Sequence, residues 1–299
     1  MSINYAVSVI IPTYNSEKTV QRCINSVIKQ SIKNIEIIVI DDSSTDRTTI
    51  ICEQNKTKDK RIKVINSSIN AGAGKCRNMG IETATGEYLF FLDSDDVIPG
   101  IDVLKYLYLA AKESDYDIIG GKLYRGRINS QIACVNSQSK FELINYLDAP
   151  FDGGFYRFLY SRSFIKLNKI RFPELRNFED PVFLIRSMLT AKKFYLTNDY
   201  SYCYTRLVKK DLTTKELIDR IHALDIILSF AYKVTDINYL MGKNLLDIIN
   251  HSGKFREVLR ECPLQIFKVI FKIRTFRKPK WKVSINKIKL VIRAIKNGV

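Results

Sequence analysis

The chain has 299 residues, 46% hydrophobic and 26% charged, the composition of an ordinary soluble globular protein with length for a sizeable core. Its formal net charge of +17 is uneven: after Glu261 come eleven Lys or Arg and no acid, while the first 261 residues hold 37 basic against 31 acidic side chains, so the tail is marked for an anionic partner. Six scattered cysteines without a CxxC pair, two histidines (His222 and His251) far from any acidic cluster, and no run near the roughly 18 apolar residues of a membrane span argue against a zinc site, a Ser-His-Asp triad and a transmembrane anchor.

Val7 to Ile11 is a short β-branched run that ends in the loop Pro12-Thr13-Tyr14-Asn15. Ser16 is a good N-cap for a helix over Glu17 to Gln30, where Val20, Cys23, Ile24, Val27 and Ile28 recur at helical spacing. Ile35 to Ile40 predicts a second buried strand running directly into Asp41-Asp42. A helix from about Asp46 to Asn55, a strand over Ile62 to Ile65, and a loop with Asn70, Gly72 and Gly74 follow. That loop opens a helix carrying Arg77 and Asn78, which Gly86 ends. Strands and helices alternating at this interval predict βαβ units and an α/β fold with a mostly parallel sheet. No GxGxxG stands between strand and helix, which weakens a dinucleotide-binding reading.

The central stretch is Tyr88-Leu89-Phe90-Phe91-Leu92 running straight into Asp93-Ser94-Asp95-Asp96. A continuous apolar run of that length reads as a strand buried on both faces, with the acids at its carboxyl end, where open α/β sheets place ligands. Two readings fit: a site for Mg²⁺ or Mn²⁺ completed by substrate phosphates, or an acidic turn capping the next helix. The strand context favours the metal, and Val97 and Ile98 stand where an EF-hand loop needs an oxygen ligand and a glycine.

A helix over about Ile101 to Ser114 and a strand over Asp117 to Gly120 come next, then a polar, irregular region from Lys122 to Gln138. Phe155 to Tyr160 reads as an aromatic strand. Glu179-Asp180-Pro181 opens a helix with Asp180 as cap, although only one of the two acids is needed for capping. From about Thr214 the chain is helical: Leu217 to Tyr232, Ile237 to Ile249, Phe255 to Leu259 and two basic segments. In the last, Trp281, Ile285, Ile288, Ile292 and Ile295 form one apolar stripe, and Phe267, Ile270 and Phe271 begin a similar one beside Lys268 and Lys272. Such helices suit the surface of an anionic membrane, a reading favoured over the alternative of a helix pair packed with its charges in water. The cysteines read as small thiols buried in a reducing compartment, and the apolar run Ala6 to Ile11 is too short for a secretory signal, so a cytoplasmic location is expected.

In a parallel sheet the polar ends of the first, second and central strands share one edge and converge on one crevice. Four motifs in order there resemble the family 2 glycosyltransferases: Val7 through Asn15; Ile40-Asp41-Asp42-Ser43-Ser44-Thr45-Asp46; Asn70 with Gly72, Arg77-Asn78 and Gly80; and Gly86 through Asp96. Glu179-Asp180 resembles the acidic motif carrying that family's catalytic base, extending the resemblance to about residue 205. The resemblance implies a GT-A (Rossmann-like) fold, a nucleotide-sugar donor (usually a UDP-sugar), Mn²⁺ or Mg²⁺, and inversion at the anomeric carbon. By position, Pro12, Tyr14, Asn15, Asp42, Asn70 and Arg77 would hold the donor nucleotide, with Asp41 in support. Asp93 and Ser94 would meet ribose or diphosphate, Asp95 with Asp93 the metal, and Asp180 would be the base, with Glu179 accessory. Ser43 departs from the family's usual glycine, with no functional consequence expected.

The expected organisation is a catalytic domain over 1–212, its nucleotide-binding half ending near residue 100 and its acceptor half following, then a helical, basic extension over 213–299. The expected activity is sugar transfer to a glycan or lipid-linked acceptor in cell-surface polysaccharide synthesis, at the inner face of a membrane contacted through 262–299. The rivals are a catalytically silent membrane-bound scaffold, a nucleotidyltransferase using the same acids, and a nucleic-acid-binding protein. Against the last, the charge sits in a tail with no stacking platform, so no nucleic-acid partner is expected.

Overall fold

In the computed structural model, which describes residues 5–126, 133–145, 154–205, 212–231 and 252–274, the apolar runs of the N-terminal third become four strands. These are β1 (Val7–Thr13), β2 (Ile35–Asp41), β3 (Ile62–Asn66) and β4 (Tyr88–Phe91). Every residue of β1, β2 and β4 is buried, because helices cover both faces of a parallel sheet and leave no polar side. The helices between them are α1 (Val20–Ile28), α2 (Thr48–Lys58) and α3 (Ala73–Thr83), and α4 (Val103–Ser114) follows β4. Gly80 of α3 faces β1 so closely that a Cβ there would stand 2.4 Å from Ile10 Cγ2, which explains why no side chain is tolerated at that point.

The sheet continues with β5 (Ile118–Arg125), β6 (Phe141–Asn145), β7 (Phe158–Ser161) and β8 (Lys193–Tyr204), in the order β3-β2-β1-β4-β7-β5-β8-β6. Pairing is parallel through β3-β2-β1-β4 and between β5 and β8, and antiparallel at β4-β7, β7-β5 and β8-β6. Helices α5 (Arg162–Leu167) and α6 (Glu179–Ala191) lie between β7 and β8 in sequence.

Several elements differ from the sequence expectation. Ser16 does not cap α1: the helix starts at Val20, and the Ser16 hydroxyl donates instead to the Tyr14 carbonyl and pairs with Ser94 Oγ at 2.7 Å. The aromatic segment is a 3-10 turn over Phe155–Arg157 followed by the shorter β7, since Phe155 packs inward against Phe91 and Phe172 rather than along a strand face. Helix α6 begins at Glu179, so Asp180 sits inside its first turn rather than before it. Strands β6 and β8 were not expected. Thr197-Asn198-Asp199 breaks the apolar pattern of β8 where its pairing with β5 shifts register. The predicted helix over Ile237 to Ile249 and the Trp281 to Ile295 stripe lie outside the described residues.

The chain divides into two compact units, Met1–Glu174 with Ser187–Val208, and Leu175–Arg186 with Lys209–Val299. Segment 175–186, expected within the catalytic domain, thus clusters with the C-terminal helices. In that second unit α7 (Thr214–Ala231), α8 (Ser252–Glu261) and α9 (Pro263–Arg274) pack on one another, joined by a Lys272–Asp225 ion pair at 2.9 Å. Asn177 donates to Asp219 at 3.0 Å, and Arg220 and Arg186 lie over the rings of Phe178 and Phe230. Among the described residues no helix is long and apolar enough to cross a membrane. All six cysteines are free and only Cys134 is not buried; burial pushes the Cys52 and Cys76 thiols up to about 12.

At the edge of the sheet where β1 to β4 begin, one buried carboxylate joins four segments. Glu36 of β2 is fully buried and accepts from Ser8 Oγ at 2.6 Å, Thr85 N at 2.6 Å, Thr85 Oγ1 at 2.8 Å, Gly86 N at 3.1 Å and Lys63 Nζ at 2.7 Å. Burial alone would raise this carboxyl, but the bonds from Lys63, Ser8 and Thr85 outweigh it and hold the group below its usual value. Glu36→Gln is expected to cost about 2–3 kcal/mol in urea denaturation at neutral pH, because charge-assisted bonds to buried donors are lost. A depressed carboxyl stabilises the fold above its unfolded value, about pH 4.3, and that contribution vanishes as pH falls through the lower folded value. The wild type should therefore lose stability faster than Glu36→Gln on acidification, and the two curves should converge.

Candidate functional site

The carboxyl ends of β1, β2 and β4 meet at the opposite edge, because β1 lies between the other two and all three run parallel. The loops leaving them and the start of α3 enclose a cavity of about 590 Å³. Pro12, Tyr14, Asn15, Asp42, Arg77, Asp93, Ser94 and Asp95 line it, whereas Asp41 and Asn70 stand outside its lining.

The β1 and β2 loops are tied to each other. Asn15, at φ +45°, accepts from Thr45 N at 2.9 Å through its side-chain oxygen and donates its own N–H to Ser44 Oγ at 3.0 Å. Tyr14, beside these anchors, is 49% exposed and lines the cavity. Asp41 is consumed internally: its oxygens accept from the hydroxyls of Ser44, Thr49 and Thr13, so it supports the loop from beneath. Asp42 accepts from the N–H groups of Ala71 and Gly72 at 2.7 and 2.8 Å, joining β2 to the approach to α3, and Asn70 donates to its carbonyl at 3.1 Å. Gly72, at φ +93°, makes that turn into α3.

Arg77 is buried, its guanidinium lying over the rings of Phe155 (4.8 Å) and Phe172 (5.2 Å), which meet each other edge to face, and it donates to Asp93 Oδ1 at 2.7 Å. Asn78 exchanges two hydrogen bonds with the backbone of Phe172, at 2.9 and 3.0 Å, and so holds one of the two rings beneath the guanidinium. Residues Arg77 and Asn78 therefore act together: one orients the first acid of the Asp93-Ser94-Asp95 run, and the other secures the ring that orients it. Asp96 does not line the cavity. It is fully buried, and burial pushes its carboxyl up to about 7 despite a backbone bond from Thr205.

Asp93 and Asp95, both bearing hard carboxylate oxygens, line one cavity, and among the described residues no group of three or more His, Cys, Asp or Glu gathers as a metal cage. This donor set fits Mg²⁺ or Mn²⁺, which binds one or two carboxylates and takes its remaining ligands from water and substrate phosphate. Glu179 and Asp180 lie in the first turn of α6 within the second unit, Glu179 buried and Asp180 half-buried. The lining residues that sequence reasoning missed include Glu17, Lys18 and Asp46. Lys18 is the only lysine of this lining among the described residues, and nothing in its local sequence separates it from a solvated lysine. Arg22, Tyr202 and Thr205, which meet the acidic turn, were missed because two of them are on or just beyond β8.

The family model described as Glycosyl transferase family 2 matches residues 8–186. Glycosyltransferase GlyG of Streptococcus pneumoniae is 32% identical over 244 residues, covering 77% of this chain and 80% of GlyG. A poly(ribitol-phosphate) beta-glucosyltransferase of Bacillus spizizenii is 37% identical over 220 residues, 69% of this chain but only 32% of that longer protein. The crystal structure of residues 1–349 of TarS from S. aureus superposes with a TM-score of 0.63 at 25% identity, covering 97% of this chain and 79% of that one. The same TarS fragment has been solved with UDP-GlcNAc.

Ser43 lies where the resembling family places glycine, and it adopts φ +63°. A side chain in the left-handed region costs about 1 kcal/mol, partly offset by the freedom glycine gains when unfolded. Ser43→Gly is expected to stabilise the chain by about 0.5–1 kcal/mol in thermal denaturation.

Proposed function

Since the chain belongs to glycosyl transferase family 2, is a glycosyltransferase and has the GT-A fold, we propose that it transfers a sugar with inversion from a UDP-sugar to a hydroxyl of a glycan or lipid-linked acceptor in cell-surface polysaccharide synthesis. The observation that carries this reading is the cavity where Tyr14 and Asp42 from two loops, Arg77 from α3, and Asp93 and Asp95 from the turn after β4 converge. The UDP-GlcNAc complex of TarS and the names of the relatives support the donor class and the setting. Transfer of a hexose or an N-acetylhexosamine fits equally.

In this reading Tyr14 stacks on the base, while Pro12, Asn15 and Asp42 shape its pocket. Asp41 and Asn70 hold the loops, and Asp93 and Ser94 meet ribose or diphosphate. A Mn²⁺ or Mg²⁺ ion at Asp95 and Asp93 would neutralise charge on the departing diphosphate. Asp180 removes the proton from the acceptor hydroxyl, with Glu179 accessory. The new bond forms at the anomeric carbon as the bond to the diphosphate oxygen breaks, and UDP leaves with the electron pair. An Asp of ordinary acidity suffices, since the hydroxyl becomes acidic only as its bond to carbon forms. Positioning and charge neutralisation carry most of the rate. The catalytic domain comprises 1–212 and the helical region the remainder.

We place the enzyme at the inner face of the cell membrane, held peripherally through 262–299. Helix α9 supports this: Leu264, Phe267 and Phe271 form an exposed apolar stripe, with exposed Lys268 beside it. A double change of Phe267 and Phe271 to Ser is expected to lower binding to anionic vesicles by about tenfold in co-sedimentation, with the fold kept. Binding unchanged from wild type would exclude this face as the anchor.

Catalysis is tested by incubating the protein with Mn²⁺ and a panel of UDP-, GDP-, CDP- and dTDP-sugars and following free nucleotide with and without EDTA. Release from a UDP-sugar, abolished by EDTA and by Asp95→Ala, is the expected result. Asp180→Asn should lose about 10³-fold or more in transfer while binding donor normally. No release and no nucleotide binding by calorimetry would leave a silent scaffold instead.

A further inference from the structure

The turn that carries Asp93 and Asp95 is closed by one bond of its own, from Asp96 N–H to the Asp93 carbonyl at 2.9 Å. A second set of constraints reaches it from the far end of β8. The Tyr202 hydroxyl works in both directions: it accepts from Asp93 N–H at 3.1 Å and donates to Asp96 Oδ2 at 2.8 Å. The other Asp96 oxygen accepts from Thr205 N–H at 2.8 Å, and the Thr205 hydroxyl donates to the Asp95 carbonyl. Arg22 of α1 donates to that same carbonyl at 2.6 Å and to Thr205 Oγ1 at 2.9 Å. The Tyr202 ring cannot swing away, being fully buried and stacked on Tyr156 with centroids 4.3 Å apart.

We infer that Tyr202, Thr205 and Arg22 are positioning residues that fix the backbone of Asp93 and Asp95, so that both carboxylates are preorganised for a metal-bound nucleoside diphosphate. The inference rests on the donor and metal roles proposed above. The contacts fall on the main-chain groups of two residues that line the cavity. Asp93 is held at its N–H and Asp95 at its carbonyl, while Asp96 is the buried anchor between them. Small errors in such a turn move both carboxylates together, and partners that orient ligating carboxylates typically alter metal affinity when removed. A purely structural link between β8 and the turn would stabilise the fold without distinguishing metal-bound from metal-free nucleotide.

The test is calorimetric titration of the full chain with UDP, in Mn²⁺ and in EDTA, on wild type, Tyr202→Phe, Thr205→Val, Thr205→Ser and Arg22→Ala, with melting temperature as the folding control. Wild type should bind UDP more tightly in Mn²⁺. Tyr202→Phe and Thr205→Val should lose about tenfold of that tightening, with affinity in EDTA within about twofold of wild type. Thr205→Ser, which keeps the hydroxyl, should retain it. Arg22 is exposed and its removal leaves the core intact, so Arg22→Ala should show a smaller loss of the same kind even if a buried variant fails to fold. Wild-type tightening in all folded variants would overturn the inference while leaving the metal reading standing. A wild type indifferent to Mn²⁺ would overturn the metal reading and this inference with it.

Discussion

The site depends on one ion pair, buried at its cation and partly exposed at its anion. Arg77 is 3% exposed, and a guanidinium in such a place needs a carboxylate partner and a surface that tolerates its flat face. Asp93 supplies the first, and Phe155 and Phe172 supply the second. The pair links α3, which carries the cation, to the turn after β4, which carries the anion. The aromatic cluster of Phe91, Phe155, Tyr160 and Phe172 forms the bed on which it rests. Removing either charge would take away the ion pair that ties the other in place, so cluster, helix and turn are constrained together.

Sheet order then decides which loops can cooperate. Placing β1 between β2 and β4 brings three strand ends together, and α3 returns its N-terminal turn to the same edge, where Asp42 meets Ala71 and Gly72. The loops hold one another by side chain-to-backbone bonds rather than by apolar packing, as in Asn15 with Thr45. Polar tethers of this kind let a loop be rigid while its outer face stays wet, and that combination suits a charged, water-soluble ligand.

The strands that build the edge were legible because their burial on both faces forces continuous apolar runs, and the acids that end them stand out at once. The cavity residues Pro12, Tyr14, Asp42, Asp93 and Asp95 were legible for the same reason: each follows a readable strand. Other roles depend on contacts that sequence distance conceals. Arg77 was read as a ligand of the nucleotide, and its seat on two rings beside Asp93 could not be seen from either ring's own neighbourhood. Ser16 looked like a cap because a serine before an apolar period usually is one, yet Ser94, 78 residues on, pairs with its hydroxyl. Strand β8 hid behind its own bulge, and with it went Tyr202. Segment 175–186 shows the same limit on the scale of a whole unit, since it belongs to one compact unit with helices that begin some thirty residues later.

Glu36 stands at the other edge of the sheet from the cavity, and that separation bears on how such a chain can diversify. The carboxylate gathers β1, β2, β3 and the approach to β4 where they begin, through bonds that involve none of the cavity residues. Rigidity of the four-strand frame is thus secured at a place where ligand chemistry makes no demands. Residues at the loop tips can be exchanged, one donor or acceptor preference for another, without drawing on the interactions that keep the frame in register. A descendant with a different sugar preference need carry no change at its base.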